Sequence, residues 1–250
     1  MMMIQKRNKD SLEDTLKHIE VPMVLDVATG NGNFARHLRT EYRGIGTITA
    51  IDVSWKGLQR SIEAIRKIND MNTACMNAAE MAFPSSSFDM VCISNSLHHM
   101  ARLDDTLAEM MRVLKPGGYF LAREMYRDNQ TEAQMTHVLM HEWWASIDTL
   151  KGVPHFSTFS RERILGTTGA LGLNELITCD YSNLDSDPMD KDILDHISGA
   201  IDTYIGKTGD IEDNSKLIRV GKQLRERLYD VGFHAATTLA LLGRKPSDSI

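Results

Sequence analysis

The sequence predicts an α/β fold built on a doubly wound, mostly parallel sheet of seven strands. Three observations point to it. From residue 22 to residue 124, short apolar runs rich in strand-forming residues alternate with segments of helical spacing. The run at 88–94 (FDMVCIS) is almost unbroken in its apolarity, as a parallel strand covered on both faces must be. The first strand breaks into a glycine turn that opens directly on a helix, which is how a βα unit begins.

The segments follow in order. Residues 10–20 read as a short polar helix that ends before Pro22. Residues 23–28 form a strand punctuated by Thr29, Gly30, Asn31 and Gly32, and 34–39 continue as helix. A second strand over 46–53 (GTITAIDV) closes at Asp52. Leu58, Ile62, Ile65 and Ile68 share one face of a helix over 55–69. Residues 73–76 make a weak third strand and 88–94 the fourth. A helix over 103–114 is closed by Lys115-Pro116-Gly117-Gly118, and a fifth strand begins at 119–122.

Beyond Glu124 the character changes. Residues 129–150 are a helical stretch carrying His137, His141, Trp143 and Trp144, and 160–172 form another helix before a strand at 176–179. Two amphipathic helices follow at 189–206 and 214–230, the first with Ile193, Ile197, Ile201 and Ile205 on one stripe. A last strand spans 237–243. The expected organisation is one domain over 1–250, with a ligand-binding half at 22–124 and substrate-side helices at 125–182. Residues 183–231 form a helical insertion acting as a lid over the site.

Composition narrows the function. The 250 residues are 42% hydrophobic and 25% charged, enough apolar surface for a sizeable core. A formal net charge of -6 argues against a general grip on nucleic acid, which needs a basic surface. Three scattered cysteines without a paired motif fit a reducing compartment, and no apolar run reaches the ~20 residues of a membrane span. The expectation is a cytoplasmic protein without nucleic-acid or membrane partners. The insertion helices offer a surface for a homodimer.

The local pattern with most chemistry is Val24-Leu25-Asp26-Val27-Ala28-Thr29-Gly30-Asn31-Gly32-Asn33. Its glycines let a ligand approach the backbone just before a helix N-terminus. About 20 residues later Asp52 ends the next strand, where a carboxylate accepts both hydroxyls of a ribose. The pair calls for an adenosine-like ligand. The same turn also satisfies G-x-G-x-x-A, so a nicotinamide dinucleotide remains a rival on this motif alone.

Four segments together resemble the class I S-adenosylmethionine-dependent methyltransferases, especially those of ubiquinone and menaquinone biosynthesis. These are LDVATGNGN, AIDVS, NAAEMAFPSSSFDMVCISNSLHHM and RVLKPGGYF, in that order, within residues 22–124. The resemblance implies a Rossmann-like sheet with S-adenosyl-L-methionine as cofactor. It implies that Gly30 and Gly32, with Ala28 beside them and Asp26 beneath, line the methionine half. Asp52 would hold the ribose with Val53 adjoining, Asn77 and Ala78 would meet the adenine, and Ser94 and Asn95 would flank the transferring methyl. Asn77 stands where the family often has an acid. A tyrosine-lysine pair suited to the oxidoreductase rival is missing, and LKPGG is foreign to it; a protein that binds the cofactor without turnover is the third reading, which Gly30, Gly32 and Asp52 do not separate from an enzyme.

Catalytic candidates follow from position, because ligands of open α/β sheets sit beyond the carboxyl ends of strands. That nominates Glu124 at the end of the fifth strand, with His98 after the fourth; His99 reads as the start of the next helix. His137 and His141, one turn apart on a helix, face the substrate side as well. Their spacing suits a metal, with His155 further along, yet a pocket wall or plain packing is the first reading, and no metal is assigned. Trp143, Trp144, Phe156 and Phe159 are either core or the lining of an apolar or aromatic pocket, and the pocket is the preferred reading because they sit among histidines. No Asn/Asp-Pro-Pro-aromatic segment occupies Ser94-Asn95-Ser96-Leu97 and there is no Pro-Cys nucleophile, which disfavours nucleobase acceptors. The acceptor expected is a small molecule.

Overall fold

Side chains alternate across the strands, and a sheet buried on both faces follows. The computed structural model describes residues 6–7, 9–55, 57–59, 62 and 70–247. In β2 (Val21–Val27) Val24 turns to one apolar layer and Leu25 to the other; in β5 (Phe88–Ser94) Met90 and Val91 do the same. The first layer is closed by α1 (Lys9–His18) and α2 (Asn33–Glu41) through Leu12, Leu16 and Leu38. The second is closed by α3 (Leu103–Val113) and α5 (Arg161–Gly169) through Leu107, Met110 and Ile164.

The sheet is completed by β1 (Lys6–Arg7), β3 (Ile45–Asp52), β4 (Met71–Cys75), β6 (Leu114–Met125), β7 (Asn174–Tyr181) and β8 (Thr238–Arg244). Their order is β1-β7-β8-β6-β5-β2-β3-β4. All neighbours run parallel except β8, which lies antiparallel between β6 and β7. The seven expected strands are present. The two-residue β1 on the β7 edge is too short to carry a periodic signal. The order reverses between β2 and β5, so the carboxyl ends of those two strands open a crevice.

One expected turn is a strand. Lys115-Pro116-Gly117-Gly118 belongs to β6, whose register against β5 slips so that Leu114 faces Phe88 and Tyr119 faces Met90. The bulge is stitched to the chain beyond β8: Gly117 N donates to Lys245 O at 2.9 Å, and Lys245 N donates to Gly118 O at 2.9 Å. Of the helix expected at 55–69, Trp55, residues 57–59 and Ile62 are helical, and Ile65 and Ile68 lie outside the described residues.

The helices after β6 build a second, smaller core. α4 (Glu132–Leu150), α6 (Lys191–Lys207) and α7 (Ser215–Val231) meet through Met140, Trp143, Ile147, Leu194, Ile201 and Leu224. α4 starts with a reciprocal cap: Gln134 N donates to Thr131 Oγ1 at 3.3 Å and Thr131 N to Gln134 Oε1 at 3.0 Å. This packing corrects the aromatic pocket. Trp143 is buried among these helices with its Nε1 donating to Leu217 O at 3.0 Å, Phe159 sits in the sheet core, and Phe156 is 49% exposed. The Trp144 ring lies 6.4 Å from those of His137 and His141.

Candidate functional site

β2 ends in a turn of alternate left-handed residues: Ala28 at φ 54°, Gly30 at 55° and Gly32 at 76°. The turn is pinned by Thr29 N donating to Ile51 O and Gly32 N to Thr29 O, each at 2.9 Å, and α2 begins at once. A Cβ placed on Gly30 would meet nothing within 4 Å, so the turn faces open space. Asp52, at the end of β3, braces it. Its Oδ2 accepts from Gly30 N at 2.9 Å and its Oδ1 from Ser54 N at 2.7 Å. A carboxylate has room for about four such bonds, so lone pairs remain for two hydroxyls. Val53 beside it is largely exposed.

Beneath the turn, Asp26 is 1% exposed. Thr29 Oγ1 donates to it at 2.6 Å and Cys92 Sγ approaches its other oxygen at 3.5 Å. Burial pushes its carboxyl up to about 6, against the pull of the Thr29 and Cys92 hydrogen bonds, and Asp52 pushes the same way as burial. A carboxylate so placed favours a cationic ligand above it. Beyond β4, Asn77 closes a local turn by accepting from Ala79 N at 3.0 Å, with half-buried Ala78 between them. The Asn77 oxygen is thereby occupied, which leaves its amide NH2 as the group to offer. Met76 N donates to Asp52 O at 3.0 Å and ties this loop to the turn.

The end of β5 carries the other half of the site. Ser94 is paired with Arg123 of β6, and Asn95, at φ 46°, joins the same two strands. Asn95 N donates to Arg123 O at 2.7 Å and its Oδ1 accepts from Met125 N at 2.9 Å. Ser96 then bridges strands: its Oγ lies 3.2 Å from Ala28 O and 2.9 Å from Ser94 O. Ser96 N and Leu97 N both donate to Glu124 Oε2 at 3.0 Å, while Glu124 Oε1 takes the Nδ1 of His98. Glu124 is completely buried and His98 is 1% exposed. Glu124 therefore grips His98 from inside the fold, and the His98 Nε2 is buried with no hydrogen-bond partner.

His98 does not stand alone. The single 3-10 turn Leu97–His99 presents His98 and His99, α4 presents His141, and the loop after α4 presents His155. One nitrogen from each falls within 4.8 Å of all the others. His141 Nε2 and His155 Nε2 are 3.1 Å apart, and His155 Nδ1 lies 2.8 Å from Asp148 Oδ2. Burial, then the neighbouring imidazoles, pushes His141 down to about 2 and His99 to about 3, so both are neutral near pH 7. His137 stands apart: its Nδ1 accepts from Ala236 N at 2.9 Å, and burial pushes it to about 4. The sequence nominated His98 and His141 separately. The stitch that unites them, Phe156 N donating to His98 O at 2.9 Å, is a tertiary contact with no local signal.

Residues 25–122 match a family model described as a methyltransferase domain. Over 209 residues, 80% of the chain, the sequence is 25% identical to the polyketide synthase component of lovastatin nonaketide synthase from Aspergillus terreus, of which it spans 7%. It is 35% identical over 105 residues to the ubiquinone/menaquinone biosynthesis C-methyltransferase UbiE of Bordetella parapertussis, covering 42% of this chain and 41% of that one. In fold it is similar to phosphoethanolamine N-methyltransferase 2 of Haemonchus contortus, solved in complex with S-adenosyl-L-methionine. That likeness has a TM-score of 0.56 at 20% identity, over 95% of this chain and 52% of that one. The site fits this cofactor: the cradle at Gly30 is open, Asp52 keeps lone pairs for a diol, and Asp26 is a buried acid beneath the place a sulfonium or ammonium would take. Over residues 25–122 the chain is thus similar to a methyltransferase domain, and the relatives it resembles there include a C-methyltransferase.

Proposed function

We propose that the protein transfers a methyl group from S-adenosyl-L-methionine to a small-molecule acceptor by in-line displacement. The observation that carries this reading is the continuous framework from Gly30 and Ala28 through Ser96 and Glu124 to His98, which sets a cofactor turn and an imidazole pocket side by side. The bound cofactor supplies an electrophilic methyl group. The chain's work is to align the partners and exclude water. Asp52 holds the ribose, Asn77 and Ala78 meet the adenine, and Ser94 and Asn95 fix the strand end beside the methyl. Glu124 positions His98, and His141 forms the far wall. His137 closes that wall from α4, and α6 with α7 makes a lid. Neutral at pH 7, His141 and His137 leave that wall of the pocket uncharged. The printed names of the polyketide-synthase and quinone-pathway relatives support a small organic acceptor.

The test is calorimetric titration with S-adenosylmethionine, S-adenosylhomocysteine and NADH, followed by a homocysteine-release screen of acceptors. Saturable binding of the first two with NADH silent is expected. In the active pair, Glu124→Gln is expected to lose roughly 10²-fold or more in turnover with cofactor affinity little changed. Binding of NADH alone would transfer the turn to an oxidoreductase, and loss of cofactor affinity in Glu124→Gln would place that residue wrongly.

A further inference from the structure

We propose that His98, His99, His141 and His155 hold a divalent transition-metal ion of the zinc class. The inference stands on geometry and does not depend on the proposed function. A tetrahedral site with metal–nitrogen bonds of about 2.0–2.1 Å sets its nitrogens about 3.4 Å apart. The His141–His155 pair is already at 3.1 Å, and all four donors lie within 4.8 Å of one another. Closing the set asks for side-chain movements of about an ångström.

The direction of the lone pairs is fixed from behind. Glu124 and Asp148 are carboxylate acceptors, so the Nδ1 of His98 and of His155 must carry the hydrogen. The Nε2 atoms of both rings then present bare lone pairs to the centre of the cluster. That of His98 is buried and unpartnered. Lone pairs converging in a buried space repel one another, and an unmet polar atom there carries its desolvation cost uncompensated. A cation at the centre removes both penalties. Two of the four ligands also have the carboxylate behind the imidazole that orients metal-binding histidines.

Charge agrees with the geometry. Glu124 is wholly buried and the Asp148 side chain is 17% exposed, and a divalent ion balances the pair. Lys207 Nζ, 3.8 Å from Asp148 Oδ1, is the other cation at that end. The four donors are all imidazole, which selects zinc, cobalt, nickel or copper over magnesium and calcium. The mounts are firm: His98 is held by Glu124, His141 lies on a capped helix, and Thr149 Oγ1 donates to His155 O at 2.8 Å. His99 is the half-buried member, with its Nδ1 3.4 Å from Pro154 O, and is the ligand expected to matter least.

The experiment uses the untagged full chain, stripped with a chelator and titrated with Zn²⁺ and with Co²⁺. One equivalent per chain is expected, with the strong visible bands of tetrahedral Co²⁺ and a raised melting temperature. His155→Gln should weaken binding by about 100-fold or more, and Asp148→Asn by roughly 10–100-fold. If His155→Gln fails to fold, the Asp148→Asn titration decides. No stoichiometric uptake by the wild-type chain, an octahedral cobalt spectrum, or unchanged affinity in a folded variant overturns the site. Cofactor titrations on the same samples separate the two readings. S-adenosylmethionine binding without metal uptake overturns the metal site alone, and metal uptake without cofactor binding overturns the methyltransferase reading alone.

Discussion

Asp26 and Asp52 end neighbouring strands in opposite environments. Asp52 meets solvent at the lip of the turn, and Asp26 is sealed below it. Replacing Asp52 by alanine frees Gly30 N and, on the proposed role at the ribose, is expected to cost ~1.5–3 kcal/mol of cofactor binding, roughly a 10–100-fold loss by calorimetry. Asp26 bears on pH. Its folded carboxyl binds a proton up to about 6, whereas the unfolded one releases it near 3.8. Between those values the folded chain holds more protons, so this group's contribution to stability falls as pH rises through the window. Asp26→Asn lacks that fall. Urea unfolding from pH 4 to pH 7 should show the variant gaining on the parent chain, by up to about 3 kcal/mol. An unchanged gap between the two would contradict the buried-acid assignment.

Among the elements, those with local periodicity were readable and those defined by partners were not. The strands around Val24 and Val91 alternate or run apolar in the chain itself, and Gly30, Gly32 and Asp52 follow from backbone and ribose chemistry at fixed spacing. Glu124 was legible as a strand-end acid, but its burial depends on Ser96, Leu97 and His98 folding over it. Trp143 looked like a pocket residue because its sequence neighbours are histidines; its actual neighbours come from α6 and α7, more than fifty residues on. The same contact yields a prediction. A Cβ on Gly221 of α7 would lie 2.6 Å from Trp143 Cζ2 and 3.0 Å from Ile205 Cγ1. The Trp143 ring is tethered by its bond to Leu217 O and cannot swing away. Gly221→Ala gains about 1 kcal/mol of helix propensity but meets an overpacking cost of about 1–3 kcal/mol. A lower melting temperature is expected, and a higher one would mean that α4 and α7 slide freely.

At the scale of the molecule, the sheet gathers both halves of the site at the carboxyl ends of β2, β3, β5 and β6. Cofactor binding should therefore stabilise the folded chain as a unit. At a ligand concentration of about 100 times the dissociation constant the gain is about 2.7 kcal/mol. For a chain of this length that corresponds to a rise in melting temperature of roughly 5–10 °C. Asp52→Ala at the same concentration should show little of it. Thermal unfolding with and without S-adenosylmethionine checks both statements.

The bridge made by Ser96 has a thermodynamic consequence. Its hydroxyl, shared with Ser94 O, reaches the carbonyl of Ala28 on the side of the glycine turn, and its amide binds the carboxylate that grips His98 on the other. Two sites joined this way exchange free energy symmetrically. If an occupied turn favours one position of His98, then whatever His98 holds must favour the occupied turn by the same factor. The affinity for cofactor, measured with the imidazole pocket filled and empty, thus fixes the ratio by which cofactor tightens the pocket, before that second titration is ever run.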